Sequence, residues 1–345
     1  MTTFSRVFPR LLAPRWLAAL GLLPGLFFGT VLRASVPDKK TRFDLAAASR
    51  PLLRAKWMHD RHHVPQSFAF DDVNGFIYTL QVEGTNAAGT HAEHSERGDL
   101  VLTKLSLAGN TIAGHMVLRG FGHGVAFGVE ADGTDVYLWT EVDSEPVASG
   151  TGRGRRLGRF RFVDAVTVET DSPVLTKFAL VPGARVCTPS LDPRHGRLAM
   201  RYISARGEWR AALYDLAAVK AGEGRPLRDI ALPQPFGVVQ GWCSYDDYLY
   251  VYSDENYSER NPRPGNARLW CIDWHTGAVV DTQPSRAFVE LVYREPEGLA
   301  VQVADGLPRL CFGFGASVSA NDPRRQISIA YKDALIITTQ EAEQP

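Results

Sequence analysis

From residue 60 onward, apolar and polar residues alternate with period two in short runs, and Gly, Pro, Asn and Asp separate the runs. That is the pattern of β-strands joined by turns, and helical periodicity is nearly absent. Five stretches share one plan, a strand that starts on an anchor residue, a turn and a second strand. Gln66–Asp71 turns at Asn74 and Gly75 into Phe76–Leu80. His123–Val129 turns at Asp132 and Gly133 into Val136–Thr140, and Cys187–Asp192 turns at Pro193–Gly196 into Arg197–Arg201. Gln240–Tyr245 turns at Asp246 and Asp247 into Tyr248–Tyr252, and Glu297–Val301 turns around Asp305–Pro308 into Arg309–Gly313. The anchors lie 57, 64, 53 and 57 residues apart. Further strands follow each hairpin: 99–106 with 111–118, 156–162 with 167–170, 210–216, 268–274 with 278–282, and 326–332. Four antiparallel strands, repeated around a ring, make a propeller blade. The predicted fold is therefore all-β, a five-bladed β-propeller with four-stranded antiparallel blades. A β-sandwich, with turns about every 8–12 residues, gives no reason for so long a second period.

The propeller is expected over residues 64–335. Residues 36–63 read as an N-terminal extension packing across the last blade gap, and 336–345 as a disordered tail. Ahead of them, Arg6, Arg10 and Arg15 precede an apolar run from Trp16 to Leu32. A basic head before an apolar segment is an export pattern, so residues 1–35 read as a signal peptide or an N-terminal membrane anchor. Insertions at 83–97, 144–154 and 255–266 fall between second and third strands and so belong to one face of the disc.

Lys plus Arg and Asp plus Glu number 38 each. This balance argues against a nucleic-acid partner, whose binding rests on a basic surface. The basic stretch Arg153–Arg161 reads as a solvated loop and edge strand. Cys187, Cys243, Cys271 and Cys311 show no paired spacing, which excludes a zinc ribbon or a redox pair, and they read as buried small hydrophobes.

Candidate chemistry gathers at the anchors. Gln66, His123, Gln240 and Glu297 start innermost strands, so they point toward the axis, where amide, imidazole and carboxylate groups can hold a polar ligand. Channel residues of this kind also commonly bond only one another and buried water. The residue after each anchor (Ser67, Gly124, Thr188, Gly241, Gly298) is small or short, as crowding at an axis requires. Arg294 precedes Glu295 and Glu297 and is expected to fix one of them by a bidentate bond. Tyr257, in a loop beside Asp254, Asn256 and Ser258, suits the apolar face and hydroxyl rim of a sugar. His59, His62, His63, His91 and His94 cluster, but the last two lie in a Gly/Asn/Ala-rich loop without rigid support, so no metal is expected. Nucleophile-elbow, zinc-protease, P-loop and dinucleotide motifs are missing, so neither a catalytic residue nor a cofactor is assigned. The alternative is a metal-assisted hydrolase or lyase of wall carbohydrate using Glu297, His123 and Glu130 at the channel mouth.

Five motifs carry a family resemblance: Gln66–Asp71 (QSFAFD), Gly120–Glu130 (GFGHGVAFGVE), Leu138–Val142 (LWTEV), Asn261–Asn266 (NPRPGN) and Arg294–Gly298 (REPEG). Through them the chain, from about Arg42 to Leu335, resembles actinobacterial exported proteins of the teichoic acid biosynthesis protein C-like type. These share a propeller with staphylococcal phage receptor-binding (tail or baseplate) proteins. The resemblance implies five blades and a secreted, cell-surface or wall-associated setting. It also implies a wall teichoic acid or related glycopolymer as ligand. The family's biosynthetic name implies an enzyme, but no catalytic constellation is recognisable in the sequence, so binding without catalysis is expected. Members often carry a twin-arginine signal, whereas Val7 follows Arg6 here. Oligomeric state is left open.

Overall fold

The computed structural model describes residues 39–107 and 111–339; the apolar segment expected to direct export lies outside them. Two strands, β1 (Lys39–Phe43) and β2 (Arg50–Trp57), precede the first blade, which is built from β3 (Ser67–Asp71), β4 (Phe76–Val82), β5 (Leu100–Ser106) and β6 (Ile112–Leu118). Between β4 and β5 runs the short helix α1 (His91–Arg97). Blade two holds β7 (Gly128–Asp132), β8 (Asp135–Pro146) and β9 (Gly152–Arg161); β10 (Val166–Val168) leaves it, and β11 (Thr176–Phe178) returns as its fourth strand. Blade three is β12 (Arg185–Asp192), β13 (Arg197–Ile203), β14 (Trp209–Asp215) and, after helix α2 (Leu216–Lys220), β15 (Arg228–Ala231). Blade four is β16 (Val239–Tyr245), β17 (Tyr248–Ser253), β18 (Arg268–Asp273) and β19 (Val279–Pro284). Blade five contains β20 (Val292–Ala304), β21 (Leu307–Ser317) and β22 (Gln326–Lys332), and β23 (Leu335–Thr339) ends the described chain.

Strand alternation explains why the blades stack. In blade four, Trp242, Leu249, Val251 and Ile272 face blade three and pack with Ala199, Ala211 and Leu213. Their neighbours in sequence, Cys243, Tyr250, Tyr252 and Cys271, face blade five and pack with Phe312 and Phe314. Both faces of an inner blade strand are therefore buried, and all six residues of β17 are buried. Such cores fill all five gaps between neighbouring blades, including the gap from blade five back to blade one, where Phe68 and Ile77 meet Cys311 and Ile329. The four cysteines are buried and free.

Three strands sit elsewhere than the sequence suggests. The segment expected to lie across the last gap supplies β2, which pairs antiparallel with β22 and completes blade five, with Leu53 in the core. Without it β22 would be an open edge. Residues 335–339, within or next to the stretch expected to be a disordered tail, pair with β1; residues 340–345 lie outside the described ones. The pairing of 167–170 with 156–162 is replaced: β10 adds parallel to β6 of blade one, and β11 takes the outer place beside β9. Consequently Arg153–Arg161 is no edge, because β9 lies between β8 and β11. Among the described residues no helix is long and apolar enough to cross a membrane.

Candidate ligand-binding face

Each first strand starts beside the end of the second, as Ser67 opposite Leu80 and Arg185 opposite Ile203 show. The strand starts and the loops after the second strands thus share one face, called here the loop face. Around the axis the backbones approach closely. Ser67 Oγ donates to the Gly124 carbonyl. A Cβ on Gly241 would fall 2.6 Å from the Gly298 carbonyl carbon, and one on Gly298 would fall 2.9 Å from Ser67 Cα. At Gly241 and Gly298 the missing side chain is therefore a steric requirement of ring closure.

On the blade-two side the site is built over Glu141, a fully buried carboxylate. Its oxygens accept backbone N–H bonds from His123 (3.0 Å), Gly124 (2.7 Å) and Gly154 (2.6 Å). Those bonds pin the segment leading into β7 to β9. Burial raises the Glu141 pKa, against the pull of nearby Arg153 and of the three N–H donors. Above it, His123 is half-buried and its Nδ1 has no partner. Burial, then the charge of Arg153, then His91 hold the imidazole well below its usual pKa, so it is neutral at ordinary pH.

Two arginines complete this side. Arg153 stands opposite Glu145 in the hairpin of β8 and β9, which runs past the sheet toward the loop face. Arg201 interrupts the apolar run of β13, is 7% exposed, and lies flat on Trp209 with its Cζ 3.7 Å from the ring centroid. Neither forms a hydrogen bond or ion pair with any described residue, and Arg201 Nε is buried outright. Burial, then repulsion from Arg153, bring the Arg201 pKa down to about 9. Burial likewise lowers that of Arg153, with Glu141 opposing.

Blade five contributes the opposite character. Glu297 is 2% exposed and its Oε2 has no partner. Burial, with Glu295 adding to it, raises its pKa well above the carboxylate range, so the group is a neutral acid able to donate. Half-buried Glu295 also leaves an oxygen unpartnered, and burial raises its pKa against a hydrogen bond from Tyr293.

Of the other sequence candidates, Gln66 is buried at the start of β3, with its N–H on the Leu80 carbonyl, and Gln240 is half-buried at the bulge opening β16. Cys187 turns into the core between blades two and three. Glu130 does not stand at the channel mouth. It lies between blades two and three, bonded to Trp139 Nε1 (2.8 Å), Arg159 Nε (2.8 Å) and Lys220 Nζ (2.6 Å). Burial raises its pKa, but these three bonds together outweigh it and hold the carboxyl at about 2. The trio Glu297, His123 and Glu130 is thus not assembled. Arg294 binds neither neighbouring carboxylate. At 1% exposure it donates to the carbonyls of Ser285, Ala287 and Pro264 and stacks on Phe314, clamping the loop before blade five. Tyr257 is tied down as well, its hydroxyl donating to the Val289 carbonyl at 3.0 Å and its ring flanked by Arg263 and Arg294.

The insertion after β4 is more ordered than its composition suggests. Thr90 caps α1 in a reciprocal box with Glu93, and Gly98 ends it at φ 80°. This holds His94 in a buried cluster, Nδ1 2.9 Å from Asp99 Oδ2 and 3.2 Å from Glu83 Oε2. Such a set has the composition of a metal site. Here Arg97 and Arg119 reach the same oxygens and supply the positive charge. The cluster is therefore a closed ion-pair network that fastens α1. The Thr90-to-Glu93 spacing and Gly98 were its legible signals. Beside it, His63, stacked on His91, edges a cleft of about 700 Å³ lined also by His59, Asp60, His62 and Thr85. Burial, with His91 adding, lowers His63 to about 4.

Residues 64–305 match the profile of the phage 5-bladed beta propeller receptor binding platform domain. Over 228 residues, 65% of this chain and 49% of the relative, the sequence is 28% identical to a Bacillus subtilis (strain 168) protein that bears the name major teichoic acid biosynthesis protein C. The tail fiber of Staphylococcus aureus phage P68 superposes with a TM-score of 0.63 at 16% identity, over 83% of this chain and 53% of that one. The chain thus spans about half the length of these two relatives. A family-43 glycoside hydrolase of Bacillus licheniformis superposes with a TM-score of 0.41 at 11% identity, over 81% of this chain and 53% of that one, and carries nothing about activity. With the profile covering most of the chain and five blades in the structure, the chain belongs to the phage five-bladed β-propeller receptor-binding platform family.

Proposed function

We propose that this protein is a surface-located binding propeller that holds a cell-wall glycopolymer against its loop face without transforming it. The observation that carries this reading is the set of buried polar atoms left without partners there: His123 Nδ1, Arg201 Nε, Glu295 Oε2 and Glu297 Oε2. Buried polar groups are ordinarily satisfied, and each orphan costs about 1–3 kcal/mol. A ligand rich in hydroxyl and acidic groups would satisfy them. Support for the setting comes from the receptor-binding family and from the relative named for teichoic acid biosynthesis. The secreted or wall-associated location expected from the basic and apolar head belongs to the same reading.

The test is co-sedimentation of the purified protein with isolated Gram-positive cell walls, before and after chemical removal of their covalently attached polymers. The expected result is binding to intact walls that is lost on stripping. Equal binding to stripped walls would move the ligand to peptidoglycan, and no binding by folded protein would sink the proposal.

A further inference from the structure

We propose that Arg153 and Arg201, with His123 beside them, form an anion cradle on the loop face that takes the phosphate ester groups of a polyol-phosphate chain. The proposal rests on the wall-polymer reading above and narrows it from glycopolymers in general to those that carry phosphate.

Placement comes first: Arg153 adjoins Gly154, whose N–H shares the Glu141 carboxylate with the N–H groups of His123 and Gly124, and Arg201 stands opposite Thr188 on the inner strand of the next blade. The charge of Arg153 is felt at Arg201, and Glu141, the carboxylate that attracts both, already receives three backbone N–H bonds. Neither arginine has a hydrogen bond or ion pair with a described residue. Arg201 is buried and Arg153 half-buried, and arginines so placed are rarely left alone, because removing a charge from water without a partner is expensive. Among the other described residues comparable arginines are satisfied: Arg294 by three carbonyls, Arg119 by Glu83 and Asp99, Arg159 by Glu130. The exception is local and is shared by two residues from adjacent blades.

Shape and chemistry agree. Trp209 holds the Arg201 guanidinium flat, which fixes the direction of its donors before any ligand arrives. A planar fork held this way matches two oxygens of a tetrahedral phosphate. His123 is neutral, so its unpartnered Nδ1 can complete the set by hydrogen bonding without adding charge. A neutral glycan would leave both guanidinium charges unpaired, and this is what selects phosphate over sugar. Glu297, whose carboxyl burial holds well above the usual range, and Glu295, raised in the same direction, suit the intervening polyol hydroxyls.

The experiment uses the intact protein and two variants, Arg153→Gln and Arg201→Gln, with three probes: inorganic phosphate, an oligomer of glycerol phosphate, and its dephosphorylated polyol. Binding is read by calorimetry and by Tm at constant ionic strength. The oligomer is expected to bind and raise Tm, the neutral polyol to bind at least tenfold more weakly, and each variant to lose at least tenfold affinity for the oligomer. Because neither guanidinium has a hydrogen bond or ion pair with a described residue and burial outweighs the pull of Glu141 on both, both variants should keep or raise the ligand-free Tm, which separates a ligand role from a structural one. Unchanged oligomer affinity in both variants, or equal binding of oligomer and neutral polyol, would overturn the cradle. Phosphate stabilisation that the oligomer does not reproduce would assign the site to the free ion and overturn the polymer source. Variants that still sediment with intact walls as wild type does would sink the cradle alone. Wild type that takes the oligomer but ignores intact walls would uphold the cradle and sink the wall-polymer reading.

Discussion

Two charged clusters occupy the loop side of the first three blades, one around Asp99 and one around Arg201. Around Asp99, His94, Arg97 and Arg119 converge on two buried carboxylates. Around Arg201, two guanidiniums and an unpartnered imidazole surround a single carboxylate whose bonds go to the backbone. Composition does not separate them: each holds arginine, histidine and acid, and the histidine–carboxylate set belongs to the first. Pairing does. A cluster that satisfies itself stabilises the fold and offers a ligand nothing, whereas a cluster left unsatisfied carries a standing cost that a ligand relieves. The difference teaches that the site is found by asking where the charges go.

The largest effect should come from breaking the closed cluster. Asp99→Ala leaves His94, Arg97 and Arg119 facing Glu83 alone and is expected to cost about 3–5 kcal/mol in chemical denaturation. A loss below 1 kcal/mol would erase the contrast. Next is Glu130, another closed set. Its folded pKa of about 2 lies below the ordinary 4.5, so its contribution is present above pH 4.5 and is lost as pH falls toward 2. Glu130→Gln should remove on the order of 3 kcal/mol at neutral pH and flatten the acid limb of the stability curve. For Glu297, on the open side, the sign reverses. Its folded pKa is raised, so its contribution is intact below the ordinary carboxylate pKa and is lost as pH rises toward the folded value. Glu297→Gln should therefore flatten a decline in Tm with rising pH and leave the protein level with wild type or about 1 kcal/mol more stable near pH 7. A loss of several kcal/mol there would make Glu297 a structural member. The smallest effect is expected at Thr90→Ala. Losing the cap of α1 should cost about 1 kcal/mol and accelerate amide exchange at His94 and Gly98 without altering the blade cores.

The architecture was largely legible because blade formation is written locally. Alternation in Tyr248–Tyr252 and turns such as Asn74-Gly75 mark each hairpin, and the anchor spacing counts the blades. Which edge a strand completes is not local. β2 and β10 carry no mark of the distant partners β22 and β6, since an edge accepts any strand that tertiary packing brings to it. At the candidate site, His123 and Glu297 stand out in the sequence because each opens a repeat, although in the structure His123 lies ahead of β7 and Glu297 within β20. Glu130 and Arg294 were misread because a charged residue near the axis in sequence can turn between blades or into a loop. Arg201 was missed although its signal was plain: a single charge within Leu198–Ile203, where every neighbour is apolar.

The central claim, that ligand meets the loop face, is tested most directly by hydrogen–deuterium exchange of the intact protein with and without purified wall polymer. The account predicts slowed exchange in residues 119–125, 152–155, 201–209 and 292–298, with no change at the opposite-face turns 72–75, 193–196 and 246–247. Protection confined to those turns, or none while polymer is bound, would contradict it.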